Sequence, residues 1–390
     1  MDRSVNASPG GHSAPSLDRV DSVGGDVRVR IVTRVEDLRA LGPAWATLSA
    51  ENEASSIFLT WPWIEDWLAT IHAGQPILTA VAEDAAGGLV AVAPFYVARM
   101  RLAKAIPYRC LRVLGDADSG AEYPDVLVRR GSEGTALPAI RRALLAARGW
   151  DCAWLPNLAG WSGAGARFDA IFAPEDCWAH TRPCEFAARD LPPTFDDFLK
   201  GLSGNARSNV KRQNAKLEAA HAVTFDACQD AASLPSYLDA LYHLHQLRWQ
   251  ADGRDGAFVR RPVMRAFYDR FAATALGMGA LRLFALRIEG EIRAVQYGYA
   301  WRGAFLQLQE GFDPAADSGA GNALRTRVFK ACIEEGLTHY DFLGEFTEHK
   351  RRWGAEKRMG EDRFIGRRSL KNRLLFTKPV WPTGRFLVEG

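Results

Sequence analysis

From residue 27 onward the chain alternates. "VRVRIVTRV" sets apolar against basic residues with period two, which predicts a half-buried strand. In "VEDLRALGPAWATLSAE" the period changes. Leu38, Leu41, Trp45 and Leu48 recur at helical spacing and predict one helix. "IFLTWPWIEDWLATI" predicts another, with Pro62 in its first turn. Its aromatics read as core and cleft wall, because rings bury so much area. Two strands follow, "ILTAVAE" and "LVAVAPFYV", joined by "DAAGG".

The pattern then returns. "LRLFALRIEGEIRAVQYGYAW", residues 281–301, is again strand, turn, strand. At an offset of 203, Gly87 falls on Gly290, Ala91 on Ala294, Val92 on Val295 and Tyr96 on Tyr299. "ALPAIRRALLAARGWDCAWLPNL" and "ALRTRVFKACIEEGLTHYDFLGE" are both a helix, a glycine stop and a strand, and an offset of 187 lays Gly149 on Gly336. The shared order predicts an internal duplication. The join is expected near 180–195, where "RPCEFAARDLPPTFDDF" holds a Pro-Pro break. The expected organisation is a tail over 1–26, one domain over 27–185, a second over 186–375 and a tail over 376–390. The second half adds a helical insert, "FDDFLKGLSGNARSNVKRQNAKLEAA" and "SLPSYLDALYHLHQLRWQADG", split by the short strand "AVTFDAC".

Composition narrows the class. The 390 residues exceed one ordinary core, since domains hold roughly 100–200 residues. Hydrophobic content of 47% and charged content of 24% suit a soluble globular protein. A net charge of +3 gives no argument for nucleic acid as a partner. Six cysteines lie apart, none in a C-x-x-C pair or at zinc spacing, so buried thiols of a reducing compartment are expected and no metal site is. The first 26 residues are polar and rich in Gly, Ser and Pro, without the apolar core of a signal peptide. No apolar run approaches the ~20 residues that span a bilayer. A cytoplasmic location is expected, with peripheral association to the inner face of a membrane as the alternative. A P-loop lysine motif, G-x-S-x-G and H-E-x-x-H are all missing.

Candidate chemistry gathers in the second half. "AFLQLQEGFDPAADSGAGNALRTRVFKACIEEGLTHYDFLGE" reads as strand, small-residue turn, helix, strand. Ser318, Gly319, Ala320, Gly321 and Asn322 form the turn. Glycine lets a ligand approach the backbone, and the free N–H groups of a helix start attract anions such as pyrophosphate. Glu310 stands near a strand end and suits a general base. Asp341 interrupts the apolar run "YDFL", so it must be paired or face a polar cleft. "HKRRWG" follows at the same sheet edge, and His349 and Lys350 suit contact with an anion or substrate. On "LYHLHQLRW", His245 and Arg248 share a helix face beside Trp249. Arg207, on "GNARSNVKRQNAKLE", suits a phosphate-bearing substrate. Each has a plainer reading too, as a solvated face, a tight turn or a satisfied core polar group.

The joint order of "LHQLRWQADGRDGAF", "LRLFALRIEGEIRAVQYGY", "EGFDPAADSGAGNAL" and "YDFLGEFTEHKRRWG" resembles the cellulose-biosynthesis acetyltransferase family of the CelD/BcsL type, within the GNAT superfamily. "FLTWPWIEDWL" fits it too, and the resemblance covers residues 28–370. It implies an α/β (α+β) fold of two tandem GNAT-like domains, as in the Fem aminoacyltransferases, each a mixed twisted sheet flanked by helices. It implies acetyl-CoA or another acyl-CoA as co-substrate, bound at the 318–322 turn. Ala316 stands where the superfamily carries Gln or Arg, so one side-chain contact to phosphate is lacking. The implied activity is N- or O-acyl transfer to a sugar, polysaccharide precursor or other small acceptor. Glu310 and Asp341 are then base candidates, and His349 a proton donor or substrate contact. Arg207, His245, Arg248, Trp249 and Lys350 are candidate substrate contacts. Two other readings stand beside it: a Fem-like aminoacyltransferase fed by aminoacyl-tRNA, and a non-catalytic partner of polysaccharide-synthesis machinery.

Overall fold

The computed structural model describes residues 22–24, 27–52, 55–103, 105–315, 319–377, 381–382 and 387–389. The expectations on Ala316 and Ser318, and on the first tail up to residue 21, fall outside them.

Eleven strands form one sheet. Its order runs Val223–Ala227, Leu281–Ile288, Glu291–Trp301, Ala304–Phe312, His339–Glu345, Cys177–Asp190, Glu356–Arg367, Cys152–Ala159, Ile106–Val113, Phe95–Leu102, Leu387–Glu389. A five-stranded sheet holds Ser22–Gly24, Val27–Val32, Thr79–Asp84, Leu89–Ala93 and Leu127–Val128. The fold is mixed α/β, with helices on the sheets.

In the first half two expected elements are broken, each at a proline. The helix expected over 35–51 divides into Val35–Ala40 and Gly42–Glu51, with Pro43 in the first turn of the second. The strand expected over 89–97 divides at Pro94 into Leu89–Ala93 and Phe95–Leu102. Proline donates no ladder hydrogen bond, and the chain passes there from the small sheet to the large one.

The duplication is visible in the backbone. Gly87 and Gly290, paired by the sequence offset, both turn at φ +82°. Each half contains one parallel strand pair. In the second half, Ala304–Phe312 pairs with His339–Glu345 through Ala304/His339, Phe305/Tyr340 and Leu306/Asp341 only. In the first, Ile106–Val113 pairs with Cys152–Ala159 through Cys110/Cys152 and Leu111/Ala153 only. Beyond those short contacts the strands part.

The halves also exchange their last strands. Cys177–Asp190, which closes the first half, lies between His339–Glu345 and Glu356–Arg367. Glu356–Arg367, which closes the second, lies against Cys152–Ala159 of the first. Most of the expected join over 180–195 is thus a paired strand, and the chain breaks at Leu191–Pro193 instead.

Trp63 and Trp67 explain the aromatic run. Both are buried on the helix Trp61–Thr70. Trp63 meets Phe267 and Phe271 of the helix Val263–Gly277 edge-on, at centroid distances of 4.8 and 4.6 Å. Asp66 accepts from Arg270 Nε and Thr274 Oγ1 at 2.6 Å each. This helix therefore fastens the first half to the second. Its indole N–H groups do a second job: Trp63 donates to Gly115 O at 3.1 Å and Trp67 to Ala117 O at 3.0 Å. They hold the segment that follows Ile106–Val113.

Candidate active site

The site lies where Ala304–Phe312 and His339–Glu345 separate. Asp341, opposite Leu306, is the last residue of its strand to pair with Ala304–Phe312. After it the chain bulges: Asp341 pairs with Ala188 and Glu345 with Phe186, so three residues face one. Leu343 and Gly344 take positive φ, +46° and +63°. The first half has a matching irregularity at Asn157 (φ +58°), which the 187 offset lays on Gly344. There the Asn157 N–H is taken by Asp362 at 2.8 Å.

Behind the opening is a chain of polar side chains. Gln296 Nε2 donates to the Tyr340 hydroxyl at 2.7 Å, Tyr340 donates to Gln307 at 2.9 Å, and Gln307 Nε2 donates to Glu310 at 3.0 Å. Glu310 is also ion-paired with Arg325, and Arg248 stands 3.6 Å from its other oxygen. Burial works against the Glu310 charge, but the two guanidiniums overcome it and hold the carboxyl down to about 2. Arg325 is buried on the helix Ala320–Glu334. Its Nη1 contacts the His349 ring at 3.1 Å, and its Nε has no hydrogen-bond partner among the described residues. His349 is the second residue of the short helix Glu348–Arg352. Its outer edge reaches solvent, yet the burial of its inner edge and the Arg325 charge push the ring down to about 4. On the helix Leu234–Ala251, His245 is buried, accepts from Trp249 Nε1 at 3.0 Å, and has no hydrogen-bond partner for Nδ1 among the described residues. Burial and Arg248 push it to about 4. Glu310, His245, Arg248, Trp249, Arg325 and His349 thus converge.

A second group lies at the bulge. Asp341 accepts from the Tyr123 hydroxyl, which lies 3.1 and 2.9 Å from its two oxygens, and from the Leu343 N–H at 2.9 Å. Burial raises its pKa. Glu122 accepts from the Gly344 N–H at 2.8 Å. Burial, with the Asp341 charge adding to it, pushes its carboxyl up to about 7. Lys350 donates to the carbonyls of Leu343 and Glu345 and senses Glu122, Asp341, Arg325 and Glu310 at once. Its pKa falls with burial.

Two cavities flank the opening. One of about 390 Å³ lies among the helix Gly204–Ala220, the first turn of Ala320–Glu334 and the helix Glu348–Arg352. Gln213, Asn322, Glu348, His349, Arg351 and Arg352 line it, and Glu348 is ion-paired with both arginines, which leaves one net positive charge. The other, about 300 Å³, lies between the halves and is lined by Tyr123, Trp161, Trp301, His339, Asp341 and Arg358.

Of the turn residues, Gly319 caps the helix, and Ala320, Gly321 and Asn322 form its first turn. Asn322 reaches the cavity and donates to Gln213 at 2.9 Å. A β-carbon on Gly321 would come within 3.1 Å of the Phe312 ring, so packing already asks for glycine there. Arg207 is not brought to the site. Its guanidinium turns to the Lys200 carbonyl at 3.4 Å, outside the cavity lining. Three residues of the cluster were not anticipated. Arg325 could have been found, since helical spacing puts it with Gly321, Val328 and Cys332 on the sheet-facing stripe. Glu122 and Tyr123 come from the other half, in the loop segment "SGAEYPD", whose sequence carries no periodic signal.

Among the described residues, no group of three or more His, Cys, Asp or Glu is placed to hold a metal, and no helix is long and apolar enough to cross a membrane.

Residues 204–351 match the family model described as "Acetyltransferase (GNAT) domain". The second half carries a GNAT acetyltransferase domain. The match begins on the insert helix and ends on Arg351, so it encloses the parted strands and the helix between them and reaches into the basic segment. The chain is an acyltransferase on that ground. In fold it is similar to FemX, at 12% identity and a TM-score of 0.58, over 86% of this chain and 98% of that one. It is also similar to L-PGS from Bacillus licheniformis (16%, 0.48, 88% and 96%) and to a tandem GNAT protein from the clavulanic acid biosynthesis pathway (12%, 0.45, 87% and 98%). Of these three, the FemX likeness bears on the fold. No curated protein matches this chain.

Proposed function

We propose that this protein transfers an acyl group from acetyl-CoA or another acyl-CoA to an amine or hydroxyl of a sugar, a polysaccharide precursor or another small acceptor. One observation carries the reading. Strands Ala304–Phe312 and His339–Glu345 part after three pairs, and the start of a 15-residue helix meets a basic cavity beside the gap. An acyl-CoA fits those residues: its phosphates find the free N–H groups of the first helical turn, with Asn322, Arg351 and Arg352 around them. Arg325 Nε and His245 Nδ1 are buried without a hydrogen-bond partner among the described residues.

An acyl-CoA supplies an activated acyl thioester. Lys350 then brings positive charge to the gap, where an oxygen gathers negative charge during transfer. Glu310 fixes Arg325 and Arg248 in place, and at a pKa of about 2 it is a weak proton acceptor. Asp341 orients Tyr123. The acceptor's place is the cavity between the halves, whose aromatic walls and polar rim suit a ring bearing hydroxyls or amines.

The fold likeness to FemX keeps one other donor in view, an aminoacyl-tRNA as in the Fem aminoacyltransferases that the sequence resembles. A thermal-shift titration separates the two. Acetyl-CoA at ~100 times its dissociation constant stabilises the native chain by about 2.7 kcal/mol. That shift is expected for the wild type and is expected to vanish in the double variant Arg351→Glu, Arg352→Glu. No shift with acetyl-CoA, free CoA or longer acyl-CoAs would transfer the proposal to aminoacyl-tRNA.

A further inference from the structure

We propose that Glu122, a residue of the first half, is the group that takes the proton from the attacking amine or hydroxyl. The assignment rests on the acyl-CoA reading above. Four observations lead to it. Glu122 touches the bulge where the strands part, through the Gly344 N–H. Its other carboxylate oxygen makes no hydrogen bond to the described residues and lies 3.5 Å from where a β-carbon on Gly344 would stand. Its neighbours Tyr123 and Asp341 both line the interdomain cavity, so an acceptor lodged there ends beside it. Its segment is held by two buried indoles that donate to Gly115 and Ala117.

The other acids at the opening are less suited. Glu310 is clamped by Arg325 and Arg248. Asp341 already accepts the Tyr123 hydroxyl proton, shared between its two oxygens, and the Leu343 N–H. The charged and titratable groups that face Glu122 are Asp341 from the parted strand, Lys350 from the helix Glu348–Arg352, Tyr123 from its own segment and Cys184 from the exchanged strand. Their sum, with burial, keeps Glu122 poised near neutrality. In the step itself the acceptor nitrogen or oxygen forms its bond to the acyl carbon while the carbon–sulfur bond breaks. The sulfur leaves with that electron pair and takes a proton from water. The proton lost by the acceptor goes to the Glu122 carboxylate.

The test has two arms. The first is a ¹³C titration of glutamate side chains in the full chain, with Glu122 assigned by the resonance missing in Glu122→Gln. A midpoint near pH 7 is expected, and a midpoint below pH 5 would overturn the assignment. This arm decides without turnover. The second follows CoA thiol released from acetyl-CoA, with water and with glucosamine as acceptors. Glutamine keeps an oxygen for the Gly344 N–H. Glu122→Gln is therefore expected to fold, to bind acetyl-CoA as the wild type does, and to lose roughly 10²–10⁴-fold in rate together with the rising limb of the pH profile. Glu122→Asp is expected to recover part of the rate. Unchanged turnover and an unchanged limb in Glu122→Gln would overturn the assignment alone. A wild type that binds no acetyl-CoA in calorimetry would remove the acyl-CoA reading and this assignment with it.

Discussion

Glu310 shows how a residue legible in the sequence can change its meaning once its neighbours are known. An acid at a strand end beside a glycine suggested a base. In the folded chain it is the counter-ion of a buried arginine. Removing one partner of such a pair leaves the other uncompensated. Glu310→Gln is therefore expected to cost about 3 kcal/mol of stability, read by urea unfolding. Replacing Glu310 and Arg325 together by Met should recover most of the loss, since apolar residues can stand in for both charges. Activity lost in Glu310→Gln alone thus says little about proton transfer. His245 gives a pH signature. Its folded ring titrates at about 4, below the ordinary 6.5. As pH falls from 7, the unfolded chain takes up the proton first, so stability declines between about 6.5 and 4 and levels off below. The wild type should therefore lose more stability between pH 7 and pH 5 than His245→Gln, whose side chain keeps an acceptor for Trp249. Equal losses would contradict it.

At the scale of elements, periodicity served well where a helix or strand is amphipathic and badly where tertiary contacts decide. The insert was legible in outline: Val223–Ala227 and Leu234–Ala251 fall where the spacing placed them, while the helical stretch expected over 195–220 is divided at 201–203 into Phe195–Lys200 and Gly204–Ala220, the second capped by the Ser203 hydroxyl. So were the strand with Glu310 and the strand with Asp341. The break at Pro94 was not, because "LVAVAPFYV" reads as one apolar run whichever sheet its ends join. The bulge at Leu343 and Gly344 was not legible either, since its amides are held by Asp341 and by Glu122 from far along the chain. The loop with Glu122 depends on close packing at Gly115. There φ is +85°, and a β-carbon would lie 2.8 Å from the Trp63 ring. Gly115→Ala should cost about 1–3 kcal/mol through backbone strain and overpacking. It should also lower turnover well beyond that, while acetyl-CoA binding at the far cavity is kept. Unaltered turnover would separate the loop from the chemistry.

For the whole molecule, the duplicated halves are neighbours in sequence and interlaced in space. The repeat itself was visible in aligned glycines and apolar positions. The exchange of last strands was not, because strand pairing between halves leaves no mark in local periodicity. One consequence is that the GNAT domain is incomplete by itself. Residues 191–390 lack Cys177–Asp190, which pairs with two strands of that half, and would bare two strand edges. That fragment should unfold without a cooperative transition and should aggregate, and co-expression with residues 1–190 should restore a soluble complex. A fragment that unfolds cooperatively by itself would show the exchange to be dispensable. The most direct measurement of the central claim is hydrogen exchange on the full chain with and without acetyl-CoA. Slowed exchange at the Ala320, Gly321 and Asn322 amides, together with Phe342–Glu345, is the expected result, since one ligand would then reach from the helix start into the parted strands. Protection confined to other segments, with these amides unchanged, would contradict it.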